Sequence, residues 1–539
     1  MSKRTFDVKC VGLDDFGRGI VRLEDKTTCF IDNFLPGEEG SISTFYSYGK
    51  LDHAVLEKRK TTSPYRVTPI CKYYPNCGGC QIMHLSYPEQ LKYKQEKVKD
   101  LLHKFAHMDL EVEPTLGLEE PVRFRNKVQM PVRFDTKKKR IKAGFYQRGT
   151  HNLIGIEDCL MESKLASRIV PVLLSLFEQY HYSAYHEDAR FGQIRHILIK
   201  TNSDQSEALV TLVVNDPELK GIKNFAKDLM KEVKEVVGLV LNVNKRKTNV
   251  ILGEEDIPVY GHTKIEDTIF GKKFLISTQS FYQVNAKQIE TLYGTAIRFA
   301  NLKPTDTLLD AYCGTGTIGL SCSPYVKRVV GVEIVKDAVK DASLNAKINH
   351  IDNATFLKGD CTQYMSETKE HFDVVILDPP RKGSTPEFIH ALIKTAPERV
   401  VYVSCDPVTL ARDLALFASA YEVKRVQPVD MFPNTMHVET VVSLAQRHIK
   451  DSVLVSFTSD ELPITKTEAS ATYQEIQKFI YDKHRIKVST LDIAQVKEEC
   501  GIKKRVNYNK PKSDKYDQPR VTQEKEALIK EALKEFKML

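Results

Sequence analysis

The chain has 539 residues, more than one hydrophobic core supports, so about three to five units of ordinary domain size are expected. Its 42% hydrophobic and 28% charged content excludes a disordered chain, and its longest apolar runs, such as Val374-Val375-Ile376-Leu377, are too short to cross a bilayer. The net charge of +8, from 79 basic and 71 acidic residues, is too mild to demand a nucleic-acid partner but compatible with one.

The N-terminus, Met1-Ser2-Lys3-Arg4-Thr5, has no apolar signal core, so a cytoplasmic protein without a membrane partner is expected. From Phe6 to about Arg59, short alternating runs are broken by turn residues such as Asp14-Asp15-Phe16-Gly17 and Pro36-Gly37. This spacing predicts a small β-barrel, either purely structural or an RNA-binding module. Cys71, Cys77 and Cys80 follow, then a helix from Tyr87 to about Lys104. Residues from Arg123 to about Val259 read as strands, including Val128–Val132, His196–Lys200 and Ala208–Val214, interrupted by a helix over Ile222–Val236.

From about Lys287 helices alternate with apolar strands at Thr307–Leu309, Arg328–Val332, Val374–Leu377 and Arg399–Val403, the pattern of a doubly wound α/β domain. Past Gln446 short helices are expected over Ala469–Asp482, Thr490–Cys500 and Gln523 to about Met538, with a polar stretch over Asn507–Gln518. The expected division is 1–60 (barrel), 61–285 (central α+β), 286–446 (doubly wound α/β) and 447–539 (helical extension of open role).

Chemistry concentrates at the ends of the later strands. Asp310-Ala311-Tyr312-Cys313-Gly314-Thr315-Gly316 lies between a strand and a helix, where Gly314 and Gly316 permit a tight turn against a ligand. The next strand ends at Glu333, a carboxylate suited to both ribose hydroxyls of a nucleoside, and Asp360 follows the one after, placed to accept from an adenine amino group. The spacing departs from a dinucleotide fingerprint and suits a methyltransferase cofactor loop. Asp378-Pro379-Pro380, Ser404-Cys405-Asp406-Pro407 and His437-Val438-Glu439 mark three further segments that can converge outside the sheet. A free cysteine is often an inert buried residue, but Cys405 stands at a strand end, where a thiolate can act as nucleophile.

Eleven cysteines in a reducing compartment argue against a disulfide framework. Cys71, Cys77, Cys80 and a candidate fourth thiol, Cys159, could hold zinc or a [4Fe-4S] cluster, and spacing alone leaves both open. Cys10, Cys29, Cys322 and Cys500 read as structural or incidental. Lys137-Lys138-Lys139-Arg140 is equally readable as a solvated face or a phosphate contact.

Taken in order, the three cysteines, Phe124-Arg125-Asn126-Lys127, Ser280-Phe281-Tyr282-Gln283-Val284-Asn285, the Asp310 loop, Ser404–Pro407 and His437–Glu439 resemble the 23S ribosomal RNA (uracil-5-)-methyltransferases that carry a TRAM barrel and an iron–sulfur cluster. The resemblance spans roughly residues 5–445. It implies S-adenosylmethionine as methyl donor, 23S ribosomal RNA as partner, Cys405 as nucleophile on uracil carbon 6 and Glu439 as the base that removes the carbon 5 proton. It implies that Gln283 and Tyr312 contact the cofactor, that Phe281 stacks on a flipped base, and that Asp378 lies near both base and cofactor. It selects [4Fe-4S] for Cys71, Cys77, Cys80 and Cys159, and leaves His437 either orienting or structural. The competing readings are a transfer-RNA uracil-5-methyltransferase, whose family members commonly lack both the TRAM and cluster features, and a non-catalytic iron–sulfur RNA-binding assembly factor. No protein partner is implied.

Overall fold

Buried β-branched runs separated by helices can satisfy their backbone groups only as a sheet covered on both faces. The computed structural model builds one in that way. It describes residues 2–47, 50–248, 250–447, 473–484, 486, 488–500 and 521–536. Strands Ala354–Lys358, Arg328–Glu333, Thr307–Ala311, Val374–Leu377 and Arg399–Ser404 lie side by side in that spatial order, all parallel. Glu439–Gln446 then pairs antiparallel with Arg399–Ser404, and Tyr421–Val429 closes the edge.

Alternate residues of each strand feed opposite cores. Leu309, Val330, Val375, Val400 and Tyr402 enter one apolar cluster, whereas Leu308, Val329, Val374, Ile376 and Val401 enter the other. Helices Pro386–Thr395 and Pro407–Phe417 cover the first face, and Ile289–Ala300 covers the second. Each fully buried Leu, Ile or Val contributes about 1.5–3 kcal/mol relative to exposure. Helix Tyr87–Leu101 belongs to this assembly, because Val98 and the following Leu102 pack with Leu414, Phe417 and Tyr421. It continues into a π-helical turn, Leu102–Ala106.

The central region is a second seven-stranded sheet, ordered Glu255–Gly261, Val236–Val243, Ala208–Val214, Ile194–Thr201, Lys127–Asp135, Arg140–Tyr146 and Leu153–Gly155. Its expected helix is shorter than anticipated, Ile222–Glu232. A second helix, Lys164–Gln179, stands where strands were expected. Its buried Leu165, Ala166, Ile169, Val170, Leu173, Leu176 and Phe177 recur at helical spacing, and Ser163 caps its N-terminus. Pro171 inside the helix and the β-branched residues beside it obscure this period in the sequence.

Near the N-terminus, Ser2–Lys9, Glu39–Ser47 and Lys50–Arg59 form one antiparallel sheet and Gly12–Leu13, Gly19–Arg22 and Thr28–Ile31 another. Val21, Cys29, Ile31, Phe34 and Ile42 pack into a common core. Glu38, fully buried, accepts from the backbone of Leu35 and Ser63 and from the guanidinium groups of Arg59 and Arg66. These donors hold its carboxyl down to about 2 despite burial.

The chain divides into two compact units, Met1–His448 and Ile449–Leu539. In the second, helices Tyr473–His484, Thr490–Glu499 and Gln523–Glu535 share a core of Ile476, Ile480, Ile493, Val496, Ile529 and Leu533. The polar stretch 507–518 lies outside the described residues. Among the described residues, no helix is long and apolar enough to cross a membrane.

Candidate active site

The parallel sheet changes winding direction between Thr307–Ala311 and Val374–Leu377, and crevices outside such switch points are where α/β sheets bind ligands. Asp310 is the penultimate residue of the first of these strands. It is buried; its Oδ2 accepts from the Gly319 amide at 2.8 Å, while Oδ1 has no hydrogen-bond partner among the described residues. Burial pushes its carboxyl up to about 7, opposed by the Gly319 hydrogen bond. The chain then turns through Tyr312, Gly314 and Gly316, all at positive φ (64°, 54° and 78°). A Cβ on Gly316 would approach the Phe356 ring to 2.7 Å, so the loop needs glycine there for space as well as backbone freedom.

Glu333 sits across this loop, accepting from Gly314 N at 3.2 Å and Val335 N at 2.8 Å. Tyr312 stacks obliquely on Phe388 at 5.5 Å, and its hydroxyl lies 3.1 Å from Ser384 Oγ. Asp360 caps the helix Cys361–Glu367 through one oxygen, Oδ1, which accepts from Thr362 N and Gln363 N. Gln283 is buried, and its carbonyl accepts from Asn126 Nδ2 at 3.0 Å. Its side chain and the Thr317 hydroxyl both reach the buried Tyr293 hydroxyl. Gln283 and the glycine loop therefore meet at one place, although they lie in separate segments of the chain.

Strand register assembles the second half of the site. Ser404 pairs with Thr440, so Cys405 and Glu439 stand across from one another at adjoining strand ends. Cys405 is half-buried and precedes Asp406, which caps helix Pro407–Phe417 through Val408 N and Thr409 N. Burial, then the charges of Glu439, Asp378 and Asp406, push its thiol up to about 12, while Arg381 opposes them. Glu439 is 3% exposed, and burial followed by the Asp378 charge holds its carboxyl well above the usual carboxylate range. Burial pushes Asp378 itself up to about 7. Its charge also bears on Tyr293 and Asp310, which places it between the glycine loop and Cys405.

A cavity of about 130 Å³ beside Cys405 is lined by Asp15, Lys97, Arg381, Asp406, Met436 and His437. Burial, and then Arg381 and Lys97, push the His437 imidazole down to about 4, and its ring packs edge-on against Phe432. Phe281 is 64% exposed, unusual for a large aromatic. It follows a loop held by Lys200 Nζ, which donates to the carbonyls of Ser277 at 2.6 Å and Ser280 at 2.7 Å. Asp341 accepts from the Ser280 hydroxyl on the other side. Lys97, Asp15, Lys200 and Asp341 were not distinguished by any local pattern. Arg381 stands in the Asp378-Pro379-Pro380-Arg381 run, where a cation three residues after a carboxylate was the available signal.

Cys71, Cys77, Cys80 and Cys159 are free thiols that line one cavity of about 400 Å³. Burial and the neighbouring Cys77 and Cys71 push Cys80 up to about 12. Cys77 and Cys159 are likewise shifted up, chiefly by burial. Among the described residues, no group of three or more His, Cys, Asp or Glu is gathered as a metal site. Lys137, Lys138 and Lys139 occupy the exposed turn between Lys127–Asp135 and Arg140–Tyr146.

The model of the tRNA (uracil-5-)-methyltransferase family matches residues 86–447. A Clostridium tetani protein described as an uncharacterized RNA methyltransferase is 41% identical over 447 residues, covering 81% of this chain and 95% of its own. One from Enterococcus faecalis, described in the same way, is 38% identical over 451 residues, covering 82% and 97%. Among solved structures, the Pyrococcus abyssi tRNA (uracil-54, C5)-methyltransferase in complex with S-adenosyl-L-homocysteine superposes with a TM-score of 0.65 and 26% identity, over 81% of this chain and 99% of that one. The family model and these relatives, matched by a chain whose doubly wound sheet carries a glycine loop at its switch point, show that the chain belongs to the tRNA (uracil-5-)-methyltransferase family, an enzyme of RNA methylation.

Proposed function

We propose that the protein methylates carbon 5 of a uridine in 23S ribosomal RNA through a transient bond between Cys405 and carbon 6 of the base. The observation that carries this reading is the pairing of Ser404 with Thr440, which sets a half-buried thiol against a buried carboxylate. Carbon 5 of uracil is too weak a nucleophile to accept a methyl group unaided. The half-buried Cys405 thiol releases its proton to solvent, and addition of the resulting thiolate to carbon 6 moves electron density onto carbon 5 and the neighbouring carbonyl oxygen. S-adenosylmethionine, when bound, supplies the methyl group from its sulfonium. Glu439 then takes the carbon 5 proton; that electron pair restores the 5,6 double bond and expels the Cys405 thiolate. A carboxylate whose proton affinity is raised by burial and the Asp378 charge is a stronger base than a solvated one, which suits this step.

In this reading Glu333 holds the ribose hydroxyls, Asp360 offers its second oxygen to the adenine amino group, and Gln283, Tyr312, Gly314, Gly316 and Asp378 complete the cofactor site. Phe281, presented outward, stacks on the flipped base, whose lost neighbours it replaces. Cys71, Cys77, Cys80 and Cys159 hold a [4Fe-4S] cluster. The donor set fits, since thiols raised by burial and mutual repulsion are stabilised as thiolates by a bound cation. The N-terminal sheets act as a TRAM-type RNA-binding module, and this feature together with the cluster supports ribosomal RNA as substrate.

The second reading, a transfer-RNA substrate, is favoured by the likeness to the Pyrococcus abyssi enzyme. A non-catalytic assembly factor would have no use for a thiol opposed to a buried carboxylate.

Two measurements test the proposal. Ribosomal RNA fragments and transfer RNA carrying 5-fluorouridine, incubated with enzyme and S-adenosylmethionine, should trap a denaturant-stable complex with the ribosomal fragment alone. That complex should disappear in Cys405→Ala; no Cys405-dependent complex with either RNA would remove the catalytic reading. Mapping 5-methyluridine after gene deletion should show loss in 23S ribosomal RNA, and loss confined to transfer RNA would select the second reading.

A further inference from the structure

Residues 430–438 connect the last two strands of the sheet and lead directly into Glu439, yet they contain no helix or strand. Their conformation must therefore come from elsewhere. Much of it comes from one face of helix Tyr87–Leu101. Tyr87, Gln90, Lys94 and Lys97 recur at spacings of three, four and three, so they form a single stripe.

Tyr87 donates its hydroxyl to Asp430 Oδ2 at 2.9 Å. Lys94 Nζ donates to Asp430 Oδ1 at 2.6 Å and to the Phe432 carbonyl at 3.0 Å. Gln90 clasps Asn434 twice: its Oε1 accepts from the Asn434 amide at 2.9 Å and its Nε2 donates to Asn434 Oδ1 at 3.2 Å. Lys97 Nζ donates to the Met436 carbonyl at 3.3 Å. Backbone groups of residues 432, 434 and 436 are thus each held by a helix side chain. The Lys94 and Asp430 side chains are both completely buried. A buried ion pair is a poor source of stability compared with apolar packing, so its value here lies in fixing one geometry.

On the reading that Glu439 is the base, we propose that Lys94 is a positioning residue of the reaction. With Gln90 and Lys97 it templates the 430–438 loop, so that the Glu439 carboxylate meets the carbon 5 proton of the Cys405-bound uracil. Mispositioning the base leaves addition and methyl transfer possible but slows release of the methylated RNA from Cys405.

The test uses the full chain and three variants: Lys94→Met, the uncharged pair Lys94→Met/Asp430→Asn, and Gln90→Met. The paired variant avoids an unpartnered buried charge, and Gln90→Met loosens the same loop without touching the ion pair. Circular dichroism and S-adenosylhomocysteine binding establish that each is folded. With methyl-labelled S-adenosylmethionine, kcat should fall about 10- to 100-fold, with KM for RNA and donor changed by about twofold or less. A denaturant-stable protein–RNA complex carrying the labelled methyl should build up. Wild-type rates in the folded paired variant and Gln90→Met would overturn the proposal. So would a loss that tracks the folded fraction or KM with no methylated complex accumulating. The 5-fluorouridine complex of the wild-type protein, read in parallel, separates the two levels: its absence removes the catalytic reading, whereas its presence alongside unaffected variants removes only the role of Lys94.

Discussion

The carboxylate of Glu439 acts on the thiol of Cys405 across the pairing of Ser404 with Thr440. With Asp378 and Asp406 it adds to the effect of burial and keeps the free thiol protonated, while Arg381 works the other way. Replacing Glu439 with Gln removes a negative neighbour, so the apparent pKa of Cys405 should fall. Arg381→Gln removes the opposing cation, so it should rise. Rates of iodoacetamide modification of the Cys405 peptide against pH, followed by mass spectrometry, give both midpoints. Unmoved midpoints would mean that these charges do not reach the sulfur.

Lys200 offers a test of how the Phe281 loop is supported. Burial, then Lys127, push its ammonium down to about 7 from 10.5. Between these values the unfolded chain binds a proton that the native protein does not, so this group makes stability rise with pH over that window. A tenfold difference in proton affinity between the two states corresponds to about 1.4 kcal/mol. In Lys200→Met the rise in unfolding free energy between neutral and mildly alkaline pH should shrink, as measured by urea titration at several pH values. An unchanged slope would show that the ammonium is not desolvated.

The cofactor site predicts unequal roles for two acids. Glu333→Ala should weaken S-adenosylhomocysteine binding by about tenfold or more, the worth of hydrogen bonds to a charged acceptor. Asp360→Asn should weaken it less: the amide oxygen still caps Thr362 and Gln363, and the NH2 that replaces the second oxygen forfeits one hydrogen bond from the adenine amino group rather than two from the ribose. Isothermal titration gives both affinities. A Glu333→Ala affinity within about twofold of wild type would exclude its carboxylate from ribose binding.

For the cysteine cavity, anaerobically purified protein should carry about four irons per chain and broad visible absorption. Cys80→Ser and Cys159→Ser should lose both and unfold at lower temperature, as should protein stripped with chelator. Zinc in place of iron on elemental analysis would replace the cluster with a structural zinc site.

The turn bearing Lys137, Lys138 and Lys139 projects from the central sheet. Changing all three to Gln should flatten the dependence of RNA affinity on salt by about 0.7 logarithmic units for each phosphate left without its lysine. Filter binding across a salt series reads this directly, and an unchanged slope would leave the run as a solvated face.

Local pattern determined the doubly wound α/β region and the glycine loop, and marked Glu333 and Asp360 as candidates, because each rests on interactions within about a turn or a strand length. It also marked Cys405, through its place at a strand end. Helix Lys164–Gln179 was hidden because β-branched residues and Pro171 suit either reading until a sheet is present to cover. Only the tertiary structure decided what faces what. Strand register set Cys405 against Glu439, a relation that a slip of one residue would abolish. Folding also gathered four cysteines from Cys71 to Cys159 around one cavity, and brought Lys94 to Asp430 although 336 positions separate them. Such neighbours carry no sequence period, since chain topology rather than local spacing brings them together.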